Sequence, residues 1–123
     1  MPQNLHNPYL KMQVETSSPV EHIILLYEKV ILLLKEADNC IEKNDVQGKV
    51  NAIIKADRII RFLNSSLDME NGGELAKNLR DLYEFILYYL ITVNAKNDRK
   101  LLSDLIYILE TLKEGWEGIK DKV

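Results

Sequence analysis

The stretch LYEFILYYLI, residues 82–91, carries a single charge, Glu84, in ten positions. A helix on the surface of a small domain normally wets one side. Here apolar or aromatic side chains point in nearly every direction, so the segment has to be covered from more than one side. Around it, Leu75, Leu79, Leu82, Ile86, Tyr89 and Val93 recur at spacings of three and four, the signature of one helix face over residues 73–95. That face centres near Leu82 and Ile86. Leu87, Tyr88 and Ile91 fall away from it, toward Lys77, Arg80 and Glu84.

Three more segments flank this one. TSSPVE is a helix start: Ser18 can cap, Pro19 takes the first helical position and Glu21 completes a capping box. From there Ile23, Leu26, Tyr27, Val30, Leu34, Ala37 and Ile41 form a stripe over residues 19–43. Asp45 can cap a second helix over 46–67, with Val50, Ile53, Ala56, Ile60, Leu63 and Leu67 aligned. DMENGGE, with Gly72 and Gly73, reads as a turn that frees the backbone. After NAKND, where Asn97 or Asp98 can cap, Leu101, Leu105, Ile108, Leu109, Leu112, Trp116 and Ile119 mark a fourth helix over 98–120. Each helix is about 30 Å long, and short links between long helices force antiparallel neighbours. The fold predicted is all-α, an up-down-up-down four-helix bundle over residues 18–123 with an N-terminal arm over 1–17. Tyr9, Leu10, Met12 and Val14 mostly alternate along that arm, so it can lie extended as a cap on a hydrophobic groove.

Composition narrows the function. The chain has 123 residues, is 46% hydrophobic and contains five Gly and three Pro, the usage of a helical domain rather than a disordered one. Its net charge is −3 with no dense run of Lys or Arg, which speaks against nucleic acid as a partner. Cys40, the single cysteine, cannot form an internal disulfide, and MPQNLHNPYL lacks a signal-peptide core. Both fit a cytoplasmic location. No run of 18 apolar residues is present, so no membrane insertion is expected.

The stripes leave apolar residues over: Ile24, Leu25, Ile31 and Leu32 on helix one, Ile54 and Phe62 on helix two with Val50 at the margin, and Leu87, Tyr88 and Ile91 on helix three. Aliphatic clusters on helices are core more often than contact surface. Contiguous exposed patches, however, mark binding sites. Catalytic chemistry finds little support. His6 and His22 lack the Glu-x-x-His spacing of bundle metal sites, and Cys40 has no histidine near it in sequence. The glycine pair lacks the spacing of a phosphate loop. Trp116 reads as a packing anchor. Asn94 reads as a helix-end residue or a hydrogen-bonding group for a partner backbone. No enzyme activity, cofactor or metal is expected.

The order of motifs is that of a known family. NPYLKMQVETSSPVEHIILLYE, then NAIIKADRIIRFLNSSLDMENGGELAKNLRDLYEFILYYL, then VNAKND, resemble the flagellar secretion chaperone FliS family over residues 7 to 116. The chain departs from the family at Lys29, where a glycine is frequent, at Tyr88 and Tyr89, where arginines are frequent nearby, and at Val93-Asn94, where an Ala-Asn pair is frequent. The resemblance implies an antiparallel helical bundle that acts as a cytoplasmic export chaperone. It would bind the disordered C-terminal segment of flagellin, prevent premature polymerisation and aid delivery to the type III secretion apparatus. It also allows contacts with the export gate and with an anti-sigma factor or co-chaperone. By the same resemblance, Tyr9 and Leu10 guard a hydrophobic pocket, and Ile54, Asp57, Asn78, Leu82, Tyr83, Ile86 and Asn94 contact the partner, joined by Leu87, Tyr88 and Ile91 from the apolar excess. Two other readings stay open: a homodimer that pairs the apolar faces, and a bundle that holds a small hydrophobic molecule.

Overall fold

Two asparagines and three aspartates punctuate the chain. Asn44 and Asn97 adopt left-handed backbone, φ 60° and 53°, and so end the helices before them. The Asp45 carboxylate accepts the Gly48 N–H at 3.0 Å and the Asp98 carboxylate accepts the Leu101 N–H at 3.0 Å, which starts the helices after them. The third link is built on Asp68, whose carboxylate accepts the N–H groups of Glu70 and Asn71 and the Asn71 side-chain amide. Those hydrogen bonds, chiefly from Asn71, hold the Asp68 carboxyl below its usual range. Gly73 follows at φ +57°, a conformation that favours glycine.

A computed structural model describes residues 19–120. It contains four helices: α1 (Pro19–Glu42), α2 (Val46–Ser65), α3 (Gly73–Lys96) and α4 (Arg99–Lys120). Among the described residues there is no strand. α2 stops short of Leu67: the Ser66 N–H closes the last helical bond to the Phe62 carbonyl at 3.0 Å, and the Leu67 N–H then bonds only three residues back, to the Asn64 carbonyl at 3.3 Å. The expected arm over 1–17, with Tyr9 and Leu10, lies outside the described residues.

Cross-links between helices fix the direction of each neighbour. Lys49 reaches Asn94 and Asn97, while Arg80 reaches Asn64, so α2 and α3 run antiparallel. Arg99 pairs with Asp38 and Lys113 with Glu28, so α1 and α4 also run antiparallel. α1 packs on α2 and α4, α2 also packs on α3, and the α3–α4 seam is the thinnest. This is the expected up-down-up-down bundle.

The core runs from Val30, Leu34 and Ala37 through Ala56, Ile60 and Leu63 to Ile86, Leu90, Val93, Leu102, Leu105 and Leu109. Two phenols cross it. The Tyr27 and Tyr83 hydroxyls lie 2.6 Å apart, both rings are fully buried, and Trp116 packs against the same core. Burial pushes both phenol pKa values up, and the neighbouring Tyr27 adds to the rise at Tyr83. Among the described residues no buried side-chain polar atom lacks a partner.

The bundle corrects two expectations about faces. Ile24 and Ile31, expected outside the α1 stripe, are buried, because α1 packs against two neighbours and buries a wider arc. On α3 the buried face is Ala76, Leu79, Tyr83, Ile86, Leu87, Leu90 and Val93. Leu75, expected on that face, is 57% exposed, and Leu82 is half-buried. α3 is rotated toward α2, where its contact is broader than with α4.

A candidate functional site between α2 and α3

Helix α2 supplies Ile53 and Ile54 one after the other, and their side chains diverge by about 100°. Ile53 turns into the core, while Ile54 stays 44% exposed on the rim. Helix α3 repeats the pattern. Leu87 and Leu90 are buried, and Ile91 stands 67% exposed beside them. Together with Asp57, Arg58 and Asn94 these residues line a groove of about 260 Å³. Its floor is aliphatic, its walls are Ile54 and Ile91, and its polar groups sit at its edges.

Two braces hold the helices that form it. At one end Lys49, 7% exposed, donates from Nζ to the Asn94 carbonyl at 2.9 Å and to Asn97 Oδ1 at 2.8 Å. Both acceptors lie at the C-terminus of α3, where carbonyls lack helical partners and a cation is favoured. At the other end Arg80 donates to the Asn64 carbonyl at 3.3 Å and to Asn64 Oδ1 at 3.4 Å. Asn64 lies in the last turn of α2. The braces stand roughly 22 Å apart along α2, about four helical turns.

Larger hollows, about 700 and 820 Å³, lie between α1 and α4. They are lined by charged side chains, with Lys35–Glu110 at 3.3 Å and Lys113–Glu28 at 3.6 Å across them. Taking such ions out of water is unfavourable, so these hollows suit an apolar partner less well.

Five of the residues singled out in the sequence meet in the α2–α3 groove: Ile54, Asp57, Leu87, Ile91 and Asn94. Leu87 forms its buried floor rather than a free surface. Tyr83 and Ile86 are core positions, 1% and 0% exposed: Ile86 sits on the core face its spacing predicts, the rotation of α3 turns Tyr83 inward as well, and neither presents a surface to a partner here. Asn78 and Leu82 belong to the opposite side of α3, on the row that continues to Phe85 and Tyr89. The rings of Phe85 and Tyr88 pack on Tyr89 at centroid distances of 4.7 and 5.0 Å, and Tyr88 is 62% exposed. Sequence reasoning missed Leu90, Phe85 and Arg58. Arg58 stands one turn after Ile54, and that spacing was the available signal.

The titratable groups do not assemble catalytic chemistry. Burial, with Asp45 and Glu36 nearby, raises the Cys40 thiol pKa, and its Sγ lies 3.8 Å from Asp45 Oδ2. That opposes thiolate formation. Among the described residues no three His, Cys, Asp or Glu side chains gather as a metal site, and no helix is long and apolar enough to cross a membrane.

Comparison with known proteins adds to this geometry. The family described as "Flagellar protein FliS" matches residues 1–123. A flagellar secretion chaperone FliSB of Pseudomonas aeruginosa is 37% identical over 110 residues, spanning 89% of this chain and 87% of the relative. The flagellar secretion chaperone FliS of Vibrio cholerae is 34% identical over 107 residues, 87% of this chain and 79% of the relative. That of Salmonella typhimurium is 33% identical over 119 residues, 93% and 88% of the two chains. In three dimensions the chain is similar to the crystal structure of a flagellar chaperone from bacteria, with a TM-score of 0.81 at 21% identity over 97% of this chain and 93% of the other. At that identity the likeness concerns the fold.

Proposed function

The chain belongs to the flagellar protein FliS family, and on that premise we propose that it binds the disordered C-terminal segment of flagellin in the α2–α3 groove. The family is one of flagellar secretion chaperones rather than enzymes. The proposal concerns the cargo and where it sits. In this reading the protein works in the cytoplasm, keeps the segment from polymerising early and delivers it to the flagellar type III export apparatus. Tyr9 and Leu10 of the arm protect apolar surface until the partner replaces them.

The observation that carries the reading is an aliphatic groove with exposed isoleucines on both walls, braced at both ends. It suits an amphipathic helix, which offers apolar residues at i, i+3 and i+4. Covering Ile54 and Ile91 and burying matching residues of the partner is favourable by about 1.5–3 kcal/mol for each fully covered side chain. The partner loses chain entropy as it orders, so the net affinity is much smaller than the sum.

The test is a calorimetric titration of the whole protein with the flagellin C-terminal segment at several temperatures. One-to-one binding with a strongly negative heat-capacity change is expected. An Ile54→Asp variant should bind at least tenfold more weakly, since it places a charge in an aliphatic groove. Absence of heat at every temperature, together with absence of co-elution on gel filtration, would sink the proposal. A mass that rises with concentration would then favour a homodimer through the same faces.

A further inference from the structure

The α2–α3 groove is apolar in its middle and asymmetric in charge at its ends. At the Asn94 end the lining side chain is a neutral, exposed amide, and the Asn94 carbonyl behind it accepts from Lys49. At the other end the charged lining residues are Arg58 and Asp57. Asp57 is committed to Arg61 at 2.7 Å, and Arg80 is committed to Asn64. Glu84, on α3, makes no ion pair with Arg58. Arg58 lines the groove, is exposed, and has no hydrogen-bond or ion-pair partner among the described residues.

We propose that Arg58 reads the charge of the segment that fills this groove: the occupant carries a carboxylate beside its apolar stripe and seats it on the Arg58 guanidinium. The inference rests on the groove being the cargo site. The geometry supplies the reason. An arginine fork binds a carboxylate through two parallel N–H···O bonds, and docking a helix excludes water from one side of the pair. A free carboxylate is what the groove lacks, because its own aspartate is already paired. The arrangement also sets direction. Lys49 is level with Asn94, so Arg58 stands nine residues further along α2, on the order of 13 Å from the Asn94 level. The occupant's carboxylate and the polar group that meets the Asn94 amide are therefore separated by about two and a half helical turns. A helix also presents its negative dipole end to cations, so its C-terminal side faces Arg58.

The experiment measures affinity of the flagellin C-terminal segment for the wild type, Arg58→Ala, Arg58→Glu and Ile54→Asp at low and high ionic strength. Arg58 is exposed and makes no hydrogen bond or ion pair among the described residues, so both of its variants should keep helicity and melting temperature. Arg58→Ala is expected to weaken binding about three- to tenfold at low salt, and Arg58→Glu more strongly, with the salt dependence of the wild type reduced in both. Exchanging one carboxylate of the segment for lysine should restore binding to Arg58→Glu and weaken binding to the wild type. If Arg58→Glu binds within about twofold of wild type at low salt while Ile54→Asp is impaired, Arg58 has no such role and the groove reading stands. If neither variant affects binding, the groove is not the cargo site and both ideas fail together.

Discussion

Replacing Tyr27 or Tyr83 by phenylalanine tests the polar element at the centre of the bundle. The two hydroxyls are 2.6 Å apart, both residues are buried, and among the described residues each is the other's hydrogen-bond partner. In Tyr27→Phe the Tyr83 hydroxyl keeps no partner, and in Tyr83→Phe the Tyr27 hydroxyl is orphaned in the same way. A buried hydroxyl left unpaired costs about 1–3 kcal/mol. Each single variant should therefore fall within that range. Removing both hydroxyls leaves neither one orphaned. The double variant should be less destabilised than the sum of the singles, by about 1 kcal/mol or more. Denaturant unfolding followed by circular dichroism at 222 nm measures all four corners of the cycle. Additivity within about 0.4 kcal/mol would refute the coupling, and the pair would then be two independent packing residues.

Four other outcomes are expected. The same phenols make stability fall in alkali: their folded pKa values lie above the ordinary 10.0, so the unfolded chain loses protons first and the contribution disappears as pH rises beyond that value. The double phenylalanine variant should show a shallower alkaline decline than the wild type in thermal melts across that range. Lys49→Met keeps the buried stem but leaves two acceptors at the end of α3 without their donor. A loss of about 1–3 kcal/mol is expected by chemical denaturation, together with faster hydrogen exchange in the last turn of α3. Asp45→Ala removes the cap of α2 and should cost about 1 kcal/mol, whereas Asp45→Asn should be nearly neutral. Gly73→Ala places a side chain at φ +57°, where space is open but the backbone is unfavourable, so about 1 kcal/mol should be lost in the same assay.

Periodicity in the sequence settled where the helices lie, because a three-four spacing of apolar residues has no other regular meaning over twenty positions. The Asp45 cap ahead of α2 was legible too, and Asp98 ahead of α4 as one of two candidates with Asn97, since capping depends on residues next to one another in the chain. Short links then left little choice but an antiparallel bundle. The rotation of α3 about its own axis was not legible. LYEFILYYLI is apolar on almost every side, so its pattern fits several core faces. The broader contact with α2 selected Tyr83, Ile86, Leu87 and Leu90 for burial and left Phe85, Tyr88 and Ile91 outside. Nor could the chain alone show that Lys49 is buried on the end of α3, or that Asp57 is occupied by Arg61 while Arg58 is free. Each of these depends on which groups meet across helices, and periodicity within one helix carries no record of its neighbour.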